Sequence, residues 1–92
     1  MTAATSRRAL VTGGSGGIGG AICKRLARDG HHVHVHANRS LERAQAVVAE
    51  IKAGGGNAQA ISFDVTDAAA TRAALEAILN EGPIQILVNN AG

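Results

Sequence analysis

The chain has no tryptophan and no tyrosine, and Phe63 is its single aromatic residue. Any core must therefore be aliphatic and alanine-rich, and there is no ring platform on which nucleic-acid bases would stack. Cys23 is alone, which excludes an internal disulfide and fits a reducing, cytoplasmic setting. Its place on the inner part of a helical pattern reads as a small buried hydrophobe rather than a reactive thiol. No segment approaches the ~20 apolar residues that cross a bilayer, and residues 1–8 carry no apolar run of signal-peptide length. Neither sign of charge dominates: nine Lys and Arg stand against seven Asp and Glu, the net charge is +2, and the Arg and Lys are scattered. Nucleic acid and membrane are therefore not expected partners. At 92 residues, 46% hydrophobic and 17% charged, the chain is at most one small globular domain. A domain of this size buries roughly 60–65% of its unfolded surface, so its core is marginal.

Glycine is what the chain has in quantity. Ala9-Leu10-Val11-Thr12-Gly13-Gly14-Ser15-Gly16-Gly17-Ile18-Gly19 runs a short apolar strand through a glycine loop into a helix. Such a loop keeps Cβ atoms away from a ligand, and the helix start offers free N–H groups and the positive end of a dipole. That is chemistry for a nucleotide pyrophosphate.

Strand and helix signals then alternate. Strands are expected over 8–12, 33–37, 58–63 and 84–88. A helix runs from Gly17 to about Asp29, with Ile18, Ile22 and Leu26 as its stripe and Gly30 after it. A second runs from Leu41 to Ala53, capped by Ser40, with Leu41, Ala44, Val48 and Ile51 facing inward. A third runs from the Asp67 cap to about Asn80, with Leu75, Ile78 and Leu79 inward, and Gly82-Pro83 ends it. The order βαβαβαβ predicts an α/β fold: a Rossmann-type, doubly wound parallel sheet with right-handed crossovers and strand order 3-2-1-4. The last strand would be an edge apolar on both faces, with few helices over one side of the sheet. This predicts a partial domain, not shaped to stand alone at this length.

Thr12 followed by G-x-x-x-G-x-G, Asp64-Val65 after the third strand and Asn89-Asn90-Ala91-Gly92 after the fourth together resemble the short-chain dehydrogenase/reductase family. The resemblance runs from about Arg8 to Gly92, and within the family it is strongest to the 3-oxoacyl-[acyl-carrier-protein] reductases. It implies roles by position. Gly13 makes the tight turn, Gly17 lets the helix start approach the pyrophosphate, and Gly19 allows close helix–strand packing. Ser15 and the N–H of Ile18 are the phosphate donors. Asp64 accepts from the adenine amino group, and the backbone of Val65 meets the ring. Asn89 ties its strand to the neighbours, while Asn90, Ala91 and Gly92 pass beside the adenosine ribose.

The end of the second strand selects the cofactor. A carboxylate there would accept the ribose hydroxyls of NAD and repel a 2′-phosphate. Asn38-Arg39-Ser40 has none; Arg39 can fork onto a phosphate, with neutral bonds from Asn38 and Ser40. NADP(H) is the expected cofactor. Where many NADPH-using relatives carry a basic residue inside the loop this chain has Gly16, so Arg39 carries the 2′-phosphate charge largely alone. His32, His34 and His36 alternate onto one strand face. With no Cys or carboxylate cluster beside them they read as structural imidazoles, not as a metal site.

The implied function is the N-terminal, cofactor-binding portion (residues 1–92) of an NADPH-dependent reductase of small-molecule or acyl-carrier-protein-bound ketones, tetrameric when full length. The family's Ser, Tyr and Lys lie beyond N-N-A-G, so no catalytic residue is assigned and the 92 residues alone are expected to be inactive. The alternatives are a non-catalytic nucleotide-binding module or remnant, and a short-chain dehydrogenase acting on a sugar, steroid or polyol.

Overall fold

A computed structural model describes residues 6–90 of the protein. The element order is β1 (Arg8–Thr12), α1 (Gly17–Arg28), β2 (His32–Ala37), α2 (Leu41–Ala53), β3 (Asn57–Ser62), α3 (Ala68–Asn80) and β4 (Ile86–Asn89). The four strands are parallel in the order β3-β2-β1-β4, as the alternation predicts. Register pairs Val11 with Val35 and with Val88, and Val35 with Ala60. Each strand lies within two residues of its expected bounds; β4 starts at Ile86 rather than Ile84.

Helix caps follow the chemistry of the sequence. Ser40 accepts from the Arg43 N–H at the start of α2, and Asp67 accepts from the Ala70 N–H at the start of α3. α1 differs: Gly16 is its N-cap and supplies no side-chain bond.

One sheet face carries the main core. Val11, Val33, Val35, Ala37 and Ala58 pack under Cys23 and Ala27 of α1 and Ala44, Val47, Val48 and Ile51 of α2. Of the apolar stripe predicted for α1, Ile22 and Leu26 pack against this core and Ile18 is corrected. Gly19, Gly20, Cys23 and Ala27 are the buried residues of the helix, while Ile18 is 74% exposed and Ile22 and Leu26 are half-buried. The physical reason is distance. The helix enters directly from the strand end and sits too close for large side chains, so small ones face the sheet. Leu41 and Leu79 are likewise exposed, and Val47 takes an inward place on α2.

The opposite face carries Leu10, His34 and His36, all buried. α3 docks there through Ile78 and through Arg8, whose guanidinium donates to the carbonyls of Ile78 (2.9 Å) and Gly82. Leu87, on that same face of edge strand β4, is 66% exposed. Among the described residues no helix is long and apolar enough to cross a membrane.

Candidate functional site

Parallel strands put all their carboxyl ends on one edge, and every candidate residue within the described chain lies there. β1 is followed by the glycine loop, β2 by Asn38-Arg39-Ser40, β3 by Asp64-Val65, and β4 ends at Asn89, next to Asn90. The chain goes from β1 to β2 and β3 on one side and to β4 on the other. The loop therefore sits at the topological switch point, where open α/β sheets bind ligands. Ala91 and Gly92 lie outside the described residues.

The loop is held at its base and open at its tip. Gly13 turns out of β1 with a φ of 66°, which an L side chain rarely adopts. Gly19 is tightly enclosed: a Cβ there would overlap the Gly13 carbonyl oxygen and come within 2.8 Å of Asn90 Nδ2. Asn90 Nδ2 itself donates to the Gly13 carbonyl at 3.3 Å. Its backbone N–H donates to Thr12 Oγ1 at 3.0 Å, and Thr12 Oγ1 donates to Asn89 Oδ1 at 3.1 Å. β4 is thus laced to the end of β1 by both asparagines, where sequence reading gave the tying role to Asn89.

Ser15 is half-buried, and Gly16, Gly17 and Ile18 are exposed at the start of α1. A Cβ at Gly17 would meet nothing within 4 Å. With no side-chain cap and no acidic residue in its first turn, α1 leaves its dipole and first N–H groups to an anion. These features fit a pyrophosphate.

The neighbouring strand ends are bound to each other. Asn38 Oδ1 accepts from the Val65 N–H at 2.9 Å. Asp64 Oδ1 accepts from Thr66 Oγ1 (2.7 Å) and from the Thr66 N–H (2.9 Å). These bonds hold the Asp64 carboxyl below its usual range, with help from the positive charge of Arg39 and from Asn38. Ser40 is committed to its cap on α2, and Arg39 stands exposed beside it. Val65 is 40% exposed.

Sequence reading missed two residues that shape the site. Gly14 is packed against Cys23, Val11 and Val35, so its lack of a side chain is used by the core. His36 contacts the loop directly: its Nδ1 accepts from the Gly13 N–H at 3.0 Å. No local signal marked it, because His36 reaches the loop only through the strand register that pairs Val11 with Val35. His32 and His34 stack edge to face at 4.9 Å and bond to Gln59 and Arg8 respectively. Among the described residues no group of three or more His, Cys, Asp or Glu is gathered for a metal.

The comparisons agree with this geometry. Residues 7–92 match the family model described as short chain dehydrogenase. The 3-oxoacyl-[acyl-carrier-protein] reductase FabG of Staphylococcus aureus is 44% identical over 88 residues, covering 95% of this chain and 36% of that protein. A dehydrogenase/reductase structure from Sinorhizobium meliloti is 49% identical with a TM-score of 0.88, over 94% of this chain and 34% of that one. A short chain dehydrogenase from Burkholderia cenocepacia, in complex with NADP, is 55% identical with a TM-score of 0.84, over 94% and 36%. The chain therefore spans about a third of the length of the relatives it matches. The sheet order, the glycine loop at its switch point and a family match over nearly every residue lead to one conclusion: this chain belongs to the short-chain dehydrogenase family.

Proposed function

We propose that residues 1–92 form the N-terminal, nucleotide-binding part of an NADPH-dependent short-chain reductase, in a single Rossmann-type domain. The observation that carries this reading is the uncapped start of α1, on the same edge of the sheet as the exposed Arg39, with no carboxylate at the end of β2. The bound nicotinamide would supply a hydride for carbonyl reduction.

The chain's own residues bind and orient that cofactor. Ser15, Gly16, Gly17 and the N–H of Ile18 hold the pyrophosphate, Gly13 and Gly19 give the loop its shape, and Arg39 with Asn38 and Ser40 receives the 2′-phosphate. Asp64 and Val65 flank the adenine, and Asn90, Ala91 and Gly92 pass beside the ribose. Because Asn38 already bridges Val65 and Asp64, the 2′-phosphate falls mainly to Arg39. The sequence has no tyrosine to donate a proton, so these residues bind but do not turn over substrate.

The likeness to FabG supports a 3-oxoacyl thioester on an acyl carrier protein as the substrate of the whole enzyme, in fatty-acid or polyketide synthesis. A tetramer in the cytoplasm belongs to the same reading. The test is a fluorescence titration with NADPH and NADH, followed by a reductase assay on a 3-oxoacyl thioester. Tighter binding of NADPH supports the reading. Binding of neither nucleotide, or a clear preference for NADH, overturns it.

A further inference from the structure

His36 is not among the residues read from the sequence as touching the nucleotide, yet it holds the loop that would bind it. Its ring is fully buried, with 0% exposed. Nδ1 accepts from the Gly13 N–H at 3.0 Å. A ring nitrogen that accepts from an amide carries no proton, so the proton is on Nε2, which donates to the Phe63 carbonyl at 2.7 Å. The backbone carbonyl of His36 accepts from the Gly14 N–H at 2.8 Å. Two successive loop amides are thus anchored to one residue of β2.

The consequence falls on the peptide groups that follow. The Gly13 carbonyl is also taken, by the Gly16 N–H at 3.3 Å and by Asn90 Nδ2 at 3.3 Å. With donor and acceptor both occupied, Gly13 is fixed in its positive-φ turn. The amides of residues 13 and 14 are spent inside the fold, so the donors offered to a phosphate are those at the start of α1. The ring also packs on Phe63, centroid to centroid at 4.1 Å, immediately before Asp64.

We infer that His36, as the neutral Nε2–H tautomer, is a positioning residue for the nucleotide: its Nδ1 sets the glycine loop, and its Nε2 couples that loop to the end of β3. This rests on the nucleotide-site reading above. An imidazole that merely filled space would not depend on which nitrogen survives substitution.

Two amide substitutions separate the bonds. In His36→Asn the Oδ1 falls near the place of Nδ1 and keeps the Gly13 acceptor. In His36→Gln the amide nitrogen falls near Nε2 and keeps the Phe63 donor. Dissociation constants for NADPH are measured on wild type and both variants, with the 1H–15N position of the Gly13 amide. His36→Asn is expected to stay within about threefold of wild type, and His36→Gln to weaken by about tenfold or more while the Gly13 amide shifts. Equal affinities in the two variants overturn the inference. A long-range 1H–15N spectrum of the wild-type ring decides it even where a variant fails to fold: a protonated Nε2 supports the inference and a protonated Nδ1 overturns it. Wild-type protein that binds neither NADPH nor NADH overturns the nucleotide reading itself, whereas wild-type binding that persists unchanged in His36→Gln overturns only the role of His36.

Discussion

The guanidinium of Arg8 lies 2.9 Å from Nε2 of His34, on the sheet face that α3 covers. Arginine has no acceptor, so His34 must be neutral and offer its lone pair. Burial first, then the charges of His32 and Arg8, push the His34 imidazole down from 6.5 to about 4, against a small upward pull from Glu81. The same guanidinium bonds the Ile78 and Gly82 carbonyls and pairs with Glu81 at 3.4 Å, so one side chain joins β1, β2 and the end of α3.

Acid should therefore loosen the fold through His34. The unfolded chain takes up a proton near pH 6.5, and the folded one only near pH 4. The stabilisation is complete above about 6.5, declines as the pH falls and has gone below about 4. Urea unfolding at pH 7 and pH 4.5 is expected to differ by on the order of 2 kcal/mol from this group. His34→Gln should flatten that interval. An equally steep slope in the variant would assign the acid loss elsewhere.

Arg8→Met should cost about 2 kcal/mol, because it strips a cation and its charged hydrogen bonds from the carboxyl end of a helix. The loss belongs to α3. Hydrogen exchange should show protection falling first around residues 76–82, with the strand amides following. Uniform loss across the sheet would mean that Arg8 does not hold α3 in particular.

The two glycines in the first turn of α1 should fail differently. Gly17 faces open space, so Gly17→Val should fold as wild type does and lose NADPH binding by covering the phosphate approach. Gly19 faces the Gly13 carbonyl and Asn90, so Gly19→Ala should disturb both stability and binding. Thermal melts beside NADPH titrations make the comparison, and undiminished binding by Gly17→Val would remove this account of the loop.

Arg39→Asp should reverse the nucleotide preference. Removing the fork and adding a carboxylate disfavours a 2′-phosphate and favours ribose hydroxyls. The ratio of NADPH to NADH affinity should fall by about 10- to 100-fold. An unchanged ratio means that Arg39 does not meet the phosphate.

Cys23 should be inert in the native protein. Burial pushes its thiol up to about 11, and its Sγ lies 3.8 Å from the Gly14 carbonyl. A disulfide reagent at pH 8 should label it only as fast as the chain unfolds. Rapid labelling without denaturant would show that α1 lifts off the sheet.

Much of this was legible in the chain. The alternating apolar periods, the caps at Ser40 and Asp67 and the Gly-rich entry to α1 specify the elements, because those signals act between residues a few positions apart. The parallel order β3-β2-β1-β4 also followed, since helical crossovers leave few ways to wind such a sheet. The strand ends that gather at the candidate site follow from that order alone.

What local signals do not carry is the distance between elements. Ile18, Ile22 and Leu26 have helical spacing, yet Ile18 is exposed, Ile22 and Leu26 pack only at the margin of the core, and the close approach of α1 gives its innermost places to Gly19, Gly20, Cys23 and Ala27. Nor do they assign partners across the fold. That His36 holds Gly13, that Asn90 reaches the Gly13 carbonyl and that Arg8 caps α3 depends on residues 23 to 77 positions apart. The sequence by itself determined which segments are strand, loop and helix, through short-range periodicity and backbone preference. The tertiary structure alone decided which polar groups meet, because each buried donor and acceptor must find a partner wherever packing brings one.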